Sequence, residues 1–434
     1  MKFNIITLGC PKNEVDSEGM EVLLTEAGHC PVDDFSNADL VVVNTCGFID
    51  AARAEALDTL REVAAGKGAG TYLVAAGCLA QREGEALIDQ VAGIDAVLGC
   101  RNWTDITKVA EILQRQKGSE EQGGAGPASR CGGRRAQHDG IDAQDGTVAM
   151  LPRNGVPAFV GDELCLGDVR RSPKGASAYL KISDGCDASC SFCVIPSIKG
   201  GLKSKPLKQV LAEARSLVES GVQEIILVGQ DTTAYGLDRG ERDGLAKLLR
   251  RLLDAVPDLP WLRVLYMYPQ RITPTLIRAI AELPQLCRYV DIPLQHTHPT
   301  MLRRMGRPQD DVAALVTRLR ESIPDVAIRT TFIVGFPGET EREHRHLLRT
   351  IETCGFDRVG VFTYSPQEGT KAATLPEQIP DEIKQRRRGE AMEVAQRVSL
   401  RRNRRMVGTV LKVLVEGVGE RDDGLKTLVG RSYR

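Results

Sequence analysis

Four stretches near the start of the chain, FNIITLGC, ADLVVVNTCG, TYLVAAGC and IDAVLGC, each read as an apolar strand ending in a cysteine: Cys10, Cys46, Cys78 and Cys100. Amphipathic segments lie between them, among them DSEGMEVLLTEAG and AARAEALDTLREVAAG. Strands that alternate with helices predict a parallel sheet, because parallel neighbours need a crossover connection and not a tight turn. The first three cysteines are 36 and 32 residues apart, about one βαβ unit each. In such a sheet the strand ends share one edge, so thiols far apart in sequence converge there. From spacing alone two readings stand side by side, three buried thiols or a ligand set. Cys100 follows the same pattern and reads as structural.

This alternation fills residues 1–114, the first expected domain. Over 115–177 it dissolves into runs such as KGSEEQGGAGPASRCGGRRAQHDG, which read as a linker with little core of its own. Cys131 and Cys165 fall there and read as incidental. A second alternating series follows, with strands AYLKIS, EIILVG, LRVLYMY, YVDIPLQ, AIRTTFIVG and RVGVFTY. It predicts a partial (β/α)6 barrel within 178–400, with active groups at the strand C-terminal ends. The segment DEIKQRRRGEAMEVAQRVSLRRNRR reads as a basic helix, and 401–434 adds two short strands. The expected fold class is thus α/β: a parallel α/β sheet domain, a partial barrel and a small β fragment.

The charge balance, 57 Lys+Arg against 58 Asp+Glu in 434 residues, argues against a whole-chain nucleic-acid or membrane binder. No run of about 18 apolar residues appears, and the N-terminus meets a proline and charges too early for a signal peptide. A cytoplasmic location is expected, with thiols unpaired. Cys30, Cys287 and Cys354 lie in or near helical stretches and read as inert core thiols.

The stretch SDGCDASCSFC holds Cys186, Cys190 and Cys193, directly after the first strand of the second series. Thiolates suit zinc and iron–sulfur clusters alike. Zinc sites usually bring paired C-x2-C units or nearby histidines; here no second pair follows, and His296 and His298 are far along the chain. A cluster held by three cysteines leaves one iron for a substrate. Cys-x3-Cys-x-aromatic-Cys in this position resembles the radical S-adenosylmethionine (SAM) superfamily. The resemblance implies a 4Fe-4S cluster on these cysteines, SAM on the open iron, and a 5′-deoxyadenosyl radical made by one-electron cleavage. It places Phe192 near the adenine, and Gln230, Thr331 and Gly335 among the cofactor contacts. No side chain is expected as an acid–base catalyst.

LGCPKNEVDSE, NTCGFIDAA and AAGCLAQRE resemble the N-terminal domain of the methylthiotransferases. That family implies a second 4Fe-4S cluster on Cys10, Cys46 and Cys78, and a second role for SAM as methyl donor. CGFIDAA, GQDTTAYG, DIPLQHTHPTMLRRMGRP and RTTFIVGFPGET resemble the RimO-like class. These enzymes methylthiolate the β-carbon of an aspartate in small-subunit ribosomal protein S twelve; the MiaB-like class, acting on tRNA adenosine, is the alternative. A non-enzymatic Fe–S or zinc module is the other. The implied partners are the ribosomal protein, on or near the small subunit, and an electron donor such as flavodoxin or ferredoxin. MVGTVLKVLVEGVGERDDGLKTLVGRSYR resembles the beginning of an OB-like TRAM domain, expected to be truncated. Arg386, Arg387, Arg388, Arg401, Arg402, Arg404 and Arg405 read either as a ribosomal RNA contact or as a solvated helix face. Glu339 reads as a helix opener after the GFPG turn, His296 as a satisfied polar residue or a substrate contact, and Met301 and Met305 as packing.

Overall fold

A computed structural model describes residues 1–122, 149–150, 156–162, 164, 166–167, 169–171, 173, 175–307, 311–420 and 424–434. The positions read as incidental thiols, Cys131 and Cys165, and most of the expected linker lie outside the described residues. The chain divides into two compact units, 1–169 with 197–200, and 170–196 with 201–434.

In the first unit Lys2–Thr7, Leu40–Thr45, Tyr72–Ala76 and Ala96–Gly99 pair parallel in that spatial order. These are the four strands expected. Leu40–Thr45 is buried at every position, as a strand covered on both faces must be. Its alternating side chains feed two cores. Val41 and Val43 pack with Leu57, Leu60 and Val63 of the helix Asp50–Gly66. Leu40 and Val42 pack with Met20 and Leu24 of Pro11–Glu26 and with Val109 and Leu113 of Ile106–Gln122.

The structure also finds order inside the span read as linker. The helix runs on to Gln122, and Ala158–Phe159 joins the sheet parallel to Ala96–Gly99. Two residues are too few to show a strand period, which is why the sequence pattern missed them. Cys30 is exposed, in the short edge strand Cys30–Pro31, and so is no core thiol. Cys287 is buried and Cys354 half-buried, as expected.

In the second unit the six expected strands appear as Ser177–Lys181, Glu224–Val228, Trp261–Val264, Tyr289–Gln295, Ala327–Val334 and Arg358–Thr363. They are parallel and run in sequence order, but as two three-stranded sheets. A single bridge, Leu262 to Leu286, links the third strand to the approach of the fourth. One core covers both sheets, from Leu180 and Leu227 through Ile292 and Phe332 to Leu347 and Val394. The basic helix spans Asp381–Arg404, and Val413–Glu420 pairs antiparallel with Lys426–Ser432.

The seven arginines of that helix region do not form one free face. Arg387 is 4% exposed and bonds Glu339; Arg402 pairs with Asp357 and Arg386 with Glu341 and Glu390.

Candidate functional site

Each cysteine of the first unit's trio leaves a strand end through a glycine-shaped turn. Cys10 caps the helix Pro11–Glu26, Cys46 follows Leu40–Thr45, and Cys78 lies in the first turn of Gly77–Glu83. Gly9 has φ +93°, and a Cβ there would stand 2.7 Å from the Cβ of Cys46. Gly77 has φ +94°, and its Cβ would stand 2.5 Å from the Thr45 carbonyl oxygen. Only glycine takes both the left-handed backbone and the close approach.

Among these turns sits Asn13, 1% exposed. Its Nδ2 donates to the Leu8 carbonyl at 2.9 Å and the Thr45 carbonyl at 3.0 Å. Its Oδ1 lies 3.8 Å from the Sγ of both Cys10 and Cys78. Asn44, itself buried, donates to the Asn13 carbonyl and to Ser17. Burial pushes the Cys46 thiol up to about 11, against a hydrogen bond from the Phe48 backbone, and Cys78 and Cys10 push it further up. The shared contact of Cys10 and Cys78 with Asn13, and the Gly9 turn packed on Cys46, bring the three thiols together.

The second trio sits on one loop, after Ser177–Lys181 and Ser183–Asp184. The loop is fastened from outside. Ser191 N–H donates to the Met305 carbonyl at 2.9 Å and its Oγ to the Arg304 carbonyl at 2.8 Å. Gly306, at φ +65°, leaves room for the Ser189 carbonyl. Phe192 packs against the cluster of Met301, Met305, Phe336, Tyr364 and Ala372. Both methionines are fully buried, so their reading as packing holds. Burial pushes Cys193 up to about 12; the neighbouring Cys190 and Cys186 add to the rise and Arg307 opposes it. Burial raises Cys186 as well.

Charged groups surround this loop. Arg307, 9% exposed, stacks over Tyr268 at 4.1 Å, and its Nη1 reaches 3.7 Å from Cys190 Sγ. Arg271 pairs with Asp231 and lies 5.0 Å over the same ring. Lys181 and Asp184, both fully buried, pair at 3.0 Å, and Gln230 Nε2 donates to Asp184 at 2.7 Å. Three buried polar atoms here have no hydrogen-bond partner among the described residues: Ser183 Oγ, Gln230 Oε1 and Arg307 Nε. An orphaned buried polar group costs about 1–3 kcal/mol, so the site fits a polar ligand.

Thr331 lies on Ala327–Val334, half-buried, opposite Gly360. Gly335, at φ +72°, donates its N–H to Glu339, and a Cβ there would collide with Lys384. Glu339 does not open the next helix. Thr340 caps Glu341–Cys354 in a capping box with Glu343. Glu339 is instead 2% exposed and joins His296 at 3.3 Å to Arg387 at 3.0 Å. His296 is fully buried and has partners, the satisfied polar residue of its two readings.

Among the described residues no group of three or more His, Cys, Asp or Glu is placed to hold a single metal ion. A 4Fe-4S cube takes each thiolate on a different iron. It therefore asks for thiols near one another but not gathered on one point, and the thiols of each trio are neighbours. Sequence reasoning named both trios but missed Asn13 and Arg307. Their only signal was a place inside quoted motifs, LGCPKNEVDSE and RRMGRP.

The family model "Uncharacterized protein family UPF0004" matches residues 2–120, and the radical SAM superfamily model matches 180–351. Curated relatives named "Ribosomal protein uS12 methylthiotransferase RimO" match the whole chain. The Herpetosiphon aurantiacus protein is 49% identical, with 92% of its own length covered; the Chloroflexus aurantiacus protein is 46% identical, with 91% covered. Among solved structures, the radical SAM methyltransferase TsrM from Kitasatospora setae aligns with TM-score 0.54 at 18% identity, over 84% of this chain and 73% of that one. The cobalamin-dependent SAM radical enzyme OxsB aligns with TM-score 0.55 at 10% identity, over 91% and 56%. These two likenesses speak to the fold. Identity near one half over the full length speaks to the family: this chain belongs to the RimO family of radical SAM methylthiotransferases.

Proposed function

We propose that this chain adds a methylthio group to the β-carbon of an aspartate in ribosomal protein uS12. The carrying observation is the pair of separate cysteine trios, each grouped at strand C-terminal ends of its own unit. One cluster with one open iron would suffice for a radical alone; a second trio gives a place to hold sulfur.

Cys186, Cys190 and Cys193 would hold the first 4Fe-4S cluster, and Cys10, Cys46 and Cys78 the second. An aspartate β C–H bond is unactivated, so no side-chain base serves at neutral pH, and the clusters with SAM supply the radical and the methylthio group. The chain's own residues bind, orient and shield. Ser191 and Phe192 fix the loop, and Arg307 places a positive charge against Cys190. Gln230, Ser183 and Arg307 offer unpaired polar atoms to a ligand with amino and carboxylate groups. Thr331 and Gly335 stand at the C-terminal half of their strand and the turn beyond it, where such a cofactor would be reached.

The test is anaerobic. The reconstituted protein, with SAM and a reductant, is offered uS12 or small subunits beside unmodified tRNA, and mass spectrometry seeks one methylthio addition. Addition to an aspartyl peptide is expected. Addition to adenosine would move the chain to the tRNA-modifying class, and a protein holding both clusters that never cleaves SAM would sink the reading.

A further inference from the structure

We infer that Asn13 is a positioning residue for the cluster held by Cys10, Cys46 and Cys78, setting the spacing of the three ligands before the cluster arrives. The inference rests on the reading that these cysteines hold a cluster. The three thiols come from three strand ends, and no local loop ties them together. Asn13 touches all three turns. Both of its donors are spent on carbonyls, one two residues before Cys10 and one just before Cys46, at 2.9 and 3.0 Å. Both acceptors demand N–H, so the amide cannot flip without setting oxygen against oxygen. Its Oδ1 is thereby fixed toward the remaining side, 3.8 Å from Cys10 Sγ and 3.8 Å from Cys78 Sγ.

The Asn13 backbone is held in turn. Asn44 Nδ2 donates to the Asn13 carbonyl and Ser17 Oγ, each at 2.9 Å, and Thr45 Oγ1 donates to the Ala76 carbonyl at 2.5 Å. The last bond joins the Cys46 strand to the Cys78 strand. Gly9 and Gly77 let the backbones close in without a side chain between them. Removal of Asn13 loses the two side-chain bonds that tie the Cys10 and Cys46 turns, leaving only backbone pairing between them, and removes the wedge between Cys10 and Cys78. Residues that orient metal ligands without binding the metal commonly carry about 10- to 100-fold in affinity.

The test uses the full chain carrying Cys186→Ala, Cys190→Ala and Cys193→Ala, so that iron, sulfide and spectrum report the second cluster alone. Asn13→Ala and Asn13→Asp are compared with this parent after anaerobic reconstitution. Melting of the apo-proteins comes first, because loss of two buried hydrogen bonds lowers stability in either role. The deciding readouts are taken well below every melting point. They are the rate of iron loss to a chelator and the electron paramagnetic resonance spectrum of the reduced cluster. Expected are iron loss about 10-fold faster or more and an altered spectrum, or a folded variant that takes up no iron. Equal rates with an unchanged spectrum overturn the inference while the cluster reading stands. A parent that binds no iron overturns both. Should the alanine variant fail to fold, the aspartate, of the same size, carries the comparison.

Discussion

The two cysteine trios reach similar ends by different construction. In the second unit a single loop brings Cys186, Cys190 and Cys193 together, and the surrounding groups are mostly charged: Lys181 with Asp184, Arg271 with Asp231, and Arg307. In the first unit three strand ends converge, and the groups that lace them are mostly neutral: Asn13, Asn44, Thr45 and Ser17. A buried Lys199–Asp16 pair at 3.6 Å and Arg82, donating to the Gly47 carbonyl at 3.0 Å, are exceptions there. A local loop can be shaped by its flanks, so it tolerates charged neighbours that also serve a polar ligand. A convergent site has nothing but its neighbours to fix its spacing, and short neutral amides fix it without the desolvation cost of buried charge.

The largest expected effect separates the two trios by task. Cys190→Ala should remove one cluster and abolish both deoxyadenosine formation and methylthio transfer. Cys78→Ala should remove the other, abolish transfer and leave reductive SAM cleavage in place. Iron analysis with product quantitation checks both. Loss of SAM cleavage in a well-folded Cys78→Ala protein would show that the trios do not divide the work.

The next effect probes the ionic side. Glu213 bridges Lys205 and Arg171, each at 2.6 Å, with all three side chains buried in the second unit. Glu213→Ala removes the carboxylate shared by two buried cations and should cost about 3–5 kcal/mol. Its neutral counterpart is Asn44→Ala in the first unit, where the donor to the Asn13 carbonyl and Ser17 is lost; about 1–3 kcal/mol is expected. Fragment-resolved hydrogen exchange reads each unit separately. Equal costs would erase the contrast between ionic and neutral lacing.

The contrast also explains what could be read from sequence. The four strands of the first unit and six of the second announced themselves by apolar runs between helical stretches, and the Cys186–Cys193 loop by its spacing. Cys10, Cys46 and Cys78 were legible once parallel strands were assumed, since topology alone carries them to one edge. Asn13 was not, because one buried amide leaves no period and gains its meaning from partners 5 and 32 residues away. Glu339 was misread because a carboxylate before a helix usually serves its N-terminus, whereas Thr340 does so here and Glu339 turns inward to Arg387. Ala158–Phe159 was hidden by its length. Tertiary partners decided each of these cases.

The smallest expected effect is a slope. Burial pushes the Glu213 carboxyl up, but Lys205 and Arg171 outweigh it and leave it below the ordinary value of 4.5. Glu339 is likewise held low, burial being outweighed by His296 and Arg387. A carboxylate with a depressed folded value adds stability above its unfolded value, and that stability is lost as pH falls through the folded one. The second unit should therefore begin to lose protection below about pH 4.5 as these groups protonate in the unfolded chain, and the loss should level off once they are protonated in the folded chain too. Glu213→Gln should lower its stability at neutral pH yet flatten this acid slope, because one of the depressed carboxyls is gone. The amides lacing the first trio do not titrate in that window, so the same substitution should leave the exchange of Pro11–Glu26 and Leu40–Thr45 as steep or as flat as before. A slope that changes equally in both units would mean that the charges around Glu213 stabilise the molecule as a whole and that the ionic lacing is not confined to the second unit.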